Sequence, residues 1–496
     1  MRSGHRGVMT QTTIATRDGP PTTMTQETVE AFRQRLRGPL LSSEDDGFEE
    51  AVRLWNGMIE KTPALVAQPE TTDDVVTCVD FAREHGLLFG IRGGGHNIAG
   101  TALADGGLTL DMSRMNNVEV DPDARTVTAG PGCVLADVDA ATQKHGLATV
   151  LGFVSETGLA GLVLGGGFGY LSRRFGWAVD NLVEVEIVTA DGEIRRASAD
   201  EHDDLFWALR GAGHNMGVVT EFIFRLHEVG PEITGGLLAF PAETSDQVDA
   251  ALEAYRAVTE AAPRELSVFT LFQRAPPAPF VPEEWHGRRI AGFLVCHTGP
   301  PERAEKDLTP LREPLGEPVV DLIGRRPYVE QQQLTDDSQP KGMHYYWKAV
   351  WTDGLDDGLL DAVGDLFLNL PSPMTKLGFV HVGGALNERA TDDGVVGNRD
   401  FQYGLGILGM WDPDDPNGDA HRAWVREAWK RCRPFSTGRH YVNFETADEP
   451  LDRTKTAYLD NYDRLVEVKT KYDPENLFRT NRNVSPNSEA RARKTE

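Results

Sequence analysis

Cysteine, lysine and long apolar runs are scarce in this chain, and each shortage removes a class of protein. The four cysteines, Cys78, Cys133, Cys296 and Cys432, lie far apart in 496 residues. None is paired at metal-binding or redox spacing, so neither a disulfide scaffold nor a metal site is expected. No segment is long and apolar enough to span a bilayer, and the opening MRSGHRGVMTQTTIATRDGPPTTM has no apolar h-region. Basic residues are outnumbered 50 to 76 by acidic ones, for a net charge of -26. Such a field repels nucleic acid and anionic membranes, so neither is an expected partner. Two common nucleotide signatures are missing as well. There is no G-x-x-x-x-G-K-[ST], and around Gly93–Gly95 and Gly165–Gly169 the third glycine of G-x-G-x-x-G is absent at the required offset.

The expected location is the cytoplasm. Arginine greatly outnumbers lysine, and paired aspartates recur at Asp203–Asp204, Asp392–Asp393 and Asp414–Asp415. This pattern suits a halophilic protein; a mildly acidic protein from a GC-rich genome is the competing reading. The length allows two or three domains. Residues 1–40 read as a disordered or weakly ordered segment, with Met9 or Met24 as alternative starts.

Periodicity predicts a helix over TTDDVVTCVDFAREHG (71–86), with Thr71 and Asp74 as a capping box and Gly86 as a stop. LLFGIR (87–92) reads as a strand that delivers the chain into IRGGGHN. Hairpins are predicted around Pro122–Asp123 and Asp191–Gly192. After about residue 231, helices such as 243–262 and 420–433 alternate with strands such as 287–299, 377–386 and 401–411. The reading is an α+β chain: a first domain over 41–230, a second with a large sheet over 231–450, and a segment 451–496 that returns to the first.

Four glycine-rich turns fall at the ends of regular elements in the first domain. They are RGGGHN (92–97), AGPGC (129–133), TGLAGLVLGGGFGYL (157–171) and LRGAGHNMGVVTEF (209–222). Consecutive N–H groups in such loops form anion-binding nests, and without Cβ atoms a pyrophosphate approaches closely. Taken one at a time, each is equally well a tight turn. Together they suit one extended dinucleotide cofactor with a tricyclic ring.

In this order, RGGGHN, AGPG, GLAGLVLGGGFGYLSRRFG, Asp180-Asn181-Leu182, FWALRGAGHNMGVVTEF and KYDPENLFRTNRNVSP, the motifs resemble the berberine bridge enzyme-like flavin oxidases of the p-cresol methylhydroxylase/vanillyl-alcohol oxidase superfamily. The resemblance implies an α+β fold: a two-subdomain FAD-binding domain of the p-cresol methylhydroxylase type and an α+β substrate domain with a large antiparallel sheet. It implies FAD bonded through its 8α-methyl carbon to His96. It also implies a pyrophosphate cradled by Arg92, Gly93, Gly94, Gly95, His96 and Asn97. Gly130, Gly132, Thr157, Gly158, Gly161, Gly165, Gly166, Gly167 and Tyr170 would follow the flavin. Gly217 and Val219 would meet the adenosine half, and Asn481 and Asn483 would lie near the ring.

Three departures from the family pattern bear on chemistry. Val154 stands where some members carry a second, cysteine link, which implies a single link here. Thr157 replaces the usual Val or Leu at a position that influences oxygen access. In YVNFE (441–445), Phe444 replaces the tyrosine that assists as base in many members. The remaining base candidates are Tyr441, Tyr346, Lys348 and His381. The implied reaction is oxidation of a CH–OH or CH–NH carbon of a small molecule, with O2 or another electron acceptor. A nicotinamide dehydrogenase and a redox-inactive flavin-binding protein are the competing readings.

Overall fold

The computed structural model describes residues 11–487. The segment expected to be weakly ordered carries regular structure from Gln11 onward, while residues 1–10 lie outside the described part. Strands Gln11–Ile14 and Thr22–Thr25 form a hairpin, and helix Gln26–Arg35 follows, capped by the Thr25 hydroxyl on the Thr28 amide. The cause is apolar burial. Ile14, Met24, Val29 and Phe32 all enter one core, where Phe32 stacks on Phe81 at 3.9 Å.

That core belongs to a four-stranded sheet in which Phe89–Arg92 and Leu65–Ala67 flank Leu108–Asp111, both in parallel register. Parallel pairing needs a crossover, here supplied in part by helix Thr72–Glu84. Thr71 caps this helix on the Asp74 amide as expected, but the Asp74 carboxylate accepts from Arg37, Gly38 and Glu70 instead of closing the box. A five-stranded antiparallel sheet, from Val118–Asp121 to Ile194–Ser198, forms the second subdomain.

The largest sheet is antiparallel throughout and has eight strands. Helices Ser245–Glu260, Asp357–Leu368 and Gly418–Cys432 cover one face. Strand alternation divides its residues cleanly. In His344–Thr352, Tyr346 and Val350 join the helix-side core, whereas Trp347, Ala349 and Trp351 face the first domain. In Lys376–His381, Leu377 and Phe379 face the helices, and Gly378 and Val380 face the other way. This is the α+β arrangement expected from the motifs.

The tail is pinned from within. Helix Tyr462–Tyr472 ends at Asp473, whose fully buried carboxylate accepts from Lys469 Nζ at 2.6 Å and from the Leu477 and Phe478 amides. Lys469 also donates to the carbonyls of Asn215 and Phe478. The pair ties residues 477–482 to the first domain.

Candidate active site

A deep cavity lies between the glycine loops and the helix-free face of the large sheet. Gly93, Gly94, Gly95, His96 and Asn97 line it from strand Phe89–Arg92, opposite Thr157, Gly158 and Gly161. The two loops meet backbone to backbone. A methyl group on Gly94 would fall 2.5 Å from the Gly158 nitrogen, so no larger residue fits there without displacement. Gly95 has φ +70°, which turns the loop. The amides of Gly94, Gly95, His96 and Asn97 find no acceptor among the described residues. Four consecutive unpartnered amides on a cavity wall can serve as an N–H nest for an anion.

His96 belongs to that run of amides and lines the cavity. Burial, helped by the Lys341 charge, lowers its pKa to about 4, so the imidazole is neutral at pH 7 and keeps a nucleophilic nitrogen. His214, from the fourth glycine turn, also lines the cavity and is lowered to about 4, first by burial and then by Lys469 and Arg482. Its Nε2 and the Oδ1 of Asn481 are buried without partners. Buried polar atoms are rarely left unmatched. An open nest, two orphaned polar atoms and glycine walls in one cavity fit an extended dinucleotide. Gly217 and Val219 lie on the same wall.

Several sequence candidates stand elsewhere. Phe89 and Ile91 line the cavity, so alternation turns Arg92 away; its guanidinium donates to Asp111 at 2.8 Å. Gly130 and Gly132 pack against the Met115 and Met112 carbonyls, and Pro131 between them reaches the cavity. Gly165 packs on Asn443, Gly166 on Trp177, and Gly167 on Ala178 and Leu162. Tyr170 stacks on Phe269 at 5.0 Å, behind the wall. Asn483 bonds Ser485, and Arg482 takes the cavity position beside Asn481.

Of the four base candidates, Tyr441 alone lines the cavity. Its oxygen accepts from the Gly167 amide at 3.0 Å and from the Asn443 side chain at 2.8 Å. Burial still pushes its pKa up, against the lowering effect of those two donors. Tyr346 points to the helix side, where it donates to Asp448 at 2.7 Å and accepts from Arg426 at 2.9 Å. Lys348 is on the same side, on Thr446, Asp448 and Glu449. His381 bonds Arg173 at 2.6 Å in a separate polar pocket. All three fail for one reason: each sits one residue out of phase with the cavity face.

Sequence reasoning missed the aromatic wall. Trp347, Trp351, Phe153 and Phe444 line the cavity beside Tyr441. Trp55, from outside every motif, stacks on His96. The alternation of HYYWKAVWT carried the signal for Trp347 and Trp351 once one face was assigned; nothing local marked Trp55. The Cys133, Cys296 and Cys432 thiols are pushed up to between about 11 and about 12 by burial, which leaves them inert. Among the described residues no helix is long and apolar enough to cross a membrane.

Known proteins carry the same architecture. Residues 63–198 match the FAD binding domain family, and residues 440–485 match the berberine and berberine-like family. An FAD-linked oxidoreductase of Dictyostelium discoideum is 31% identical over 461 residues, spanning 92% of this chain and 97% of the relative. The (R)-6-hydroxynicotine oxidase of Paenarthrobacter nicotinovorans is 30% identical over 466 residues, spanning 91% and 97%. The crystal structure of 6-hydroxy-D-nicotine oxidase from Arthrobacter nicotinovorans superimposes with a TM-score of 0.82 at 29% identity, covering 91% of this chain and 98% of that one. The chain therefore belongs to the berberine bridge enzyme-like family of FAD-dependent oxidoreductases.

Proposed function

We propose that the chain is an FAD-linked oxidase that holds its flavin through a single covalent bond to His96. It oxidises a CH–OH or CH–NH carbon of a small molecule and passes the electrons to O2. The observation that carries this reading is the neutral His96 imidazole within an open run of N–H groups, on the wall of the cavity. When bound, FAD supplies the two-electron oxidation. The chain supplies the rest. The nest binds phosphate, the orphaned His214 and Asn481 atoms bind polar cofactor groups, and the aromatic wall excludes water. Val154 on the wall offers no second nucleophile.

Tyr441 orients the substrate oxygen or nitrogen. With its oxygen already accepting two bonds, its hydroxyl hydrogen is free to donate toward the cavity. Residues 41–230 and 451–487 serve the cofactor, and 231–450 the substrate. A net charge of -26 supports work in concentrated salt; the melting temperature should then rise steeply up to molar KCl, and a flat response refutes that part.

The test of the covalent bond is fluorescence of the denatured chain. Acid-precipitated, washed protein is run on a denaturing gel beside a His96→Ala variant and viewed under ultraviolet. A bright wild-type band and a dark variant band are expected. Two dark bands with yellow supernatants would overturn the covalent bond but not FAD binding.

A further inference from the structure

The large sheet carries three cross-strand rows on its cavity side, and all their residues except Lys376 line the cavity. Lys376, Leu408 and Trp347 form one row; Gly378, Gly406 and Ala349 the next; Val380, Gly404 and Trp351 the third. The middle row carries nothing larger than a methyl group, so it is the floor of a trough. The outer rows end in tryptophans four residues apart on one strand, roughly 13 Å at the rise of an extended chain. Phe444 closes the same end, edge-on to Trp347 at 6.0 Å and nearly parallel to Trp351 at 6.3 Å.

The polar side-chain groups of the three rows are all donors, two indoles and one ammonium. The indole N–H groups of Trp347 and Trp351 are buried without acceptors. Lys376, 4% exposed, donates to the Ser338 carbonyl at 2.8 Å and has no carboxylate at ion-pair distance among the described residues. None of the residues in the three rows carries an acceptor side chain, and no Asp, Glu or Lys lines the cavity.

Resting on the flavin reading above, we propose that the trough selects an uncharged, planar, oxygen-bearing aromatic ring system, not a sugar and not a cation. A flat ring fits a glycine floor between aromatic walls, and edge-on and offset contacts favour it. A sugar would bury hydroxyl groups whose hydrogens find no acceptor side chain on the three rows, and each unmatched group weakens binding. The Lys376 ammonium repels a cation. A ring oxygen that reaches either indole N–H would give that orphaned donor its acceptor.

The test is equilibrium dialysis of the purified holoprotein against 2-naphthol, cellobiose or 2-naphthylmethylammonium at neutral pH, with flavin absorbance read on the same samples. Retention of 2-naphthol, at least tenfold tighter than either competitor, is expected. Gly406→Leu, which fills the trough from its floor, and Phe444→Ser, which opens its end, should each weaken 2-naphthol at least fivefold while flavin absorbance per chain stays the same. Tighter binding of cellobiose or of the ammonium overturns the proposal. So does 2-naphthol binding that neither variant changes. Absence of flavin from the preparation would instead refute the underlying oxidase reading, whatever the dialysis gives.

Discussion

The Trp55 indole lies against the His96 imidazole, ring centroids 4.7 Å apart and planes 17° from parallel. On its other face it stacks on Tyr345 at 3.7 Å, and its Nε1 donates to the Gln339 carbonyl at 2.9 Å. The ring that stacks on His96 is thus itself held by Tyr345 and by the Gln339 carbonyl. Trp55→Leu is expected to keep FAD in the native protein while lowering the fraction that survives acid precipitation by up to about 10²-fold, the scale on which a 1 Å misplacement slows a reaction. In-gel fluorescence against total flavin measures it.

Tyr441 and His381 make a contrast that strand phase alone dictates. Tyr441→Phe should lower kcat/KM by about 10²-fold, the lower range for removing a positioned proton-handling group, with flavin content unchanged. His381→Gln, on the helix side, should leave kcat/KM within about twofold and show its effect in the melting temperature. Steady-state kinetics on any turned-over substrate separates the two.

The Lys469–Asp473 pair predicts a linked loss of stability and cofactor. Both side chains are fully buried. Lys469→Met leaves a buried carboxylate without its cation, at about 3–5 kcal/mol. Because Thr480, Asn481 and Arg482 reach the cavity from this anchor, flavin retention on gel filtration should fall together with the melting temperature.

Acid should destabilise the chain through three partly buried histidines. His96, His214 and His227 are each held at about 4, against an ordinary 6.5, with burial as the main cause. The unfolded chain therefore takes up these protons first as pH falls. The stability of the neutral rings is complete above about pH 6.5 and is lost toward pH 4. The melting temperature of flavin-free protein should drop across that window, and His227→Phe should make the drop shallower.

The cofactor side of the site was legible in the sequence because close backbone approach admits few residue types. Gly94 and Gly158 touch through main-chain atoms, and only glycine allows it. The tail was legible because Asp473 must meet the Leu477 and Phe478 amides at fixed offsets. The substrate side was not. Tyr346 and Trp347 are adjacent aromatic residues, and composition does not say which of them faces the cavity; a one-residue shift of phase exchanges them. Tyr346, Lys348 and His381 carry suitable chemistry on the wrong face. Arg92 shows the same limit within a motif, since the strand turns its charge toward Asp111. The ordered segment from Gln11 was missed because its polar, threonine-rich sequence hides four apolar anchors, Ile14, Met24, Val29 and Phe32, spread over two kinds of element.

The division of the large sheet into alternating compartments makes specificity and folding separately evolvable. Positions 347, 349, 378, 404 and 406 touch whatever enters the cavity, while their neighbours 346, 350, 377 and 379 belong to the helix-side core. A lineage can therefore exchange one ligand for another by drifting at every second residue of three strands, leaving the intervening residues to preserve the scaffold, and a mutagenesis library restricted to the first set explores new substrates with little loss of foldable members.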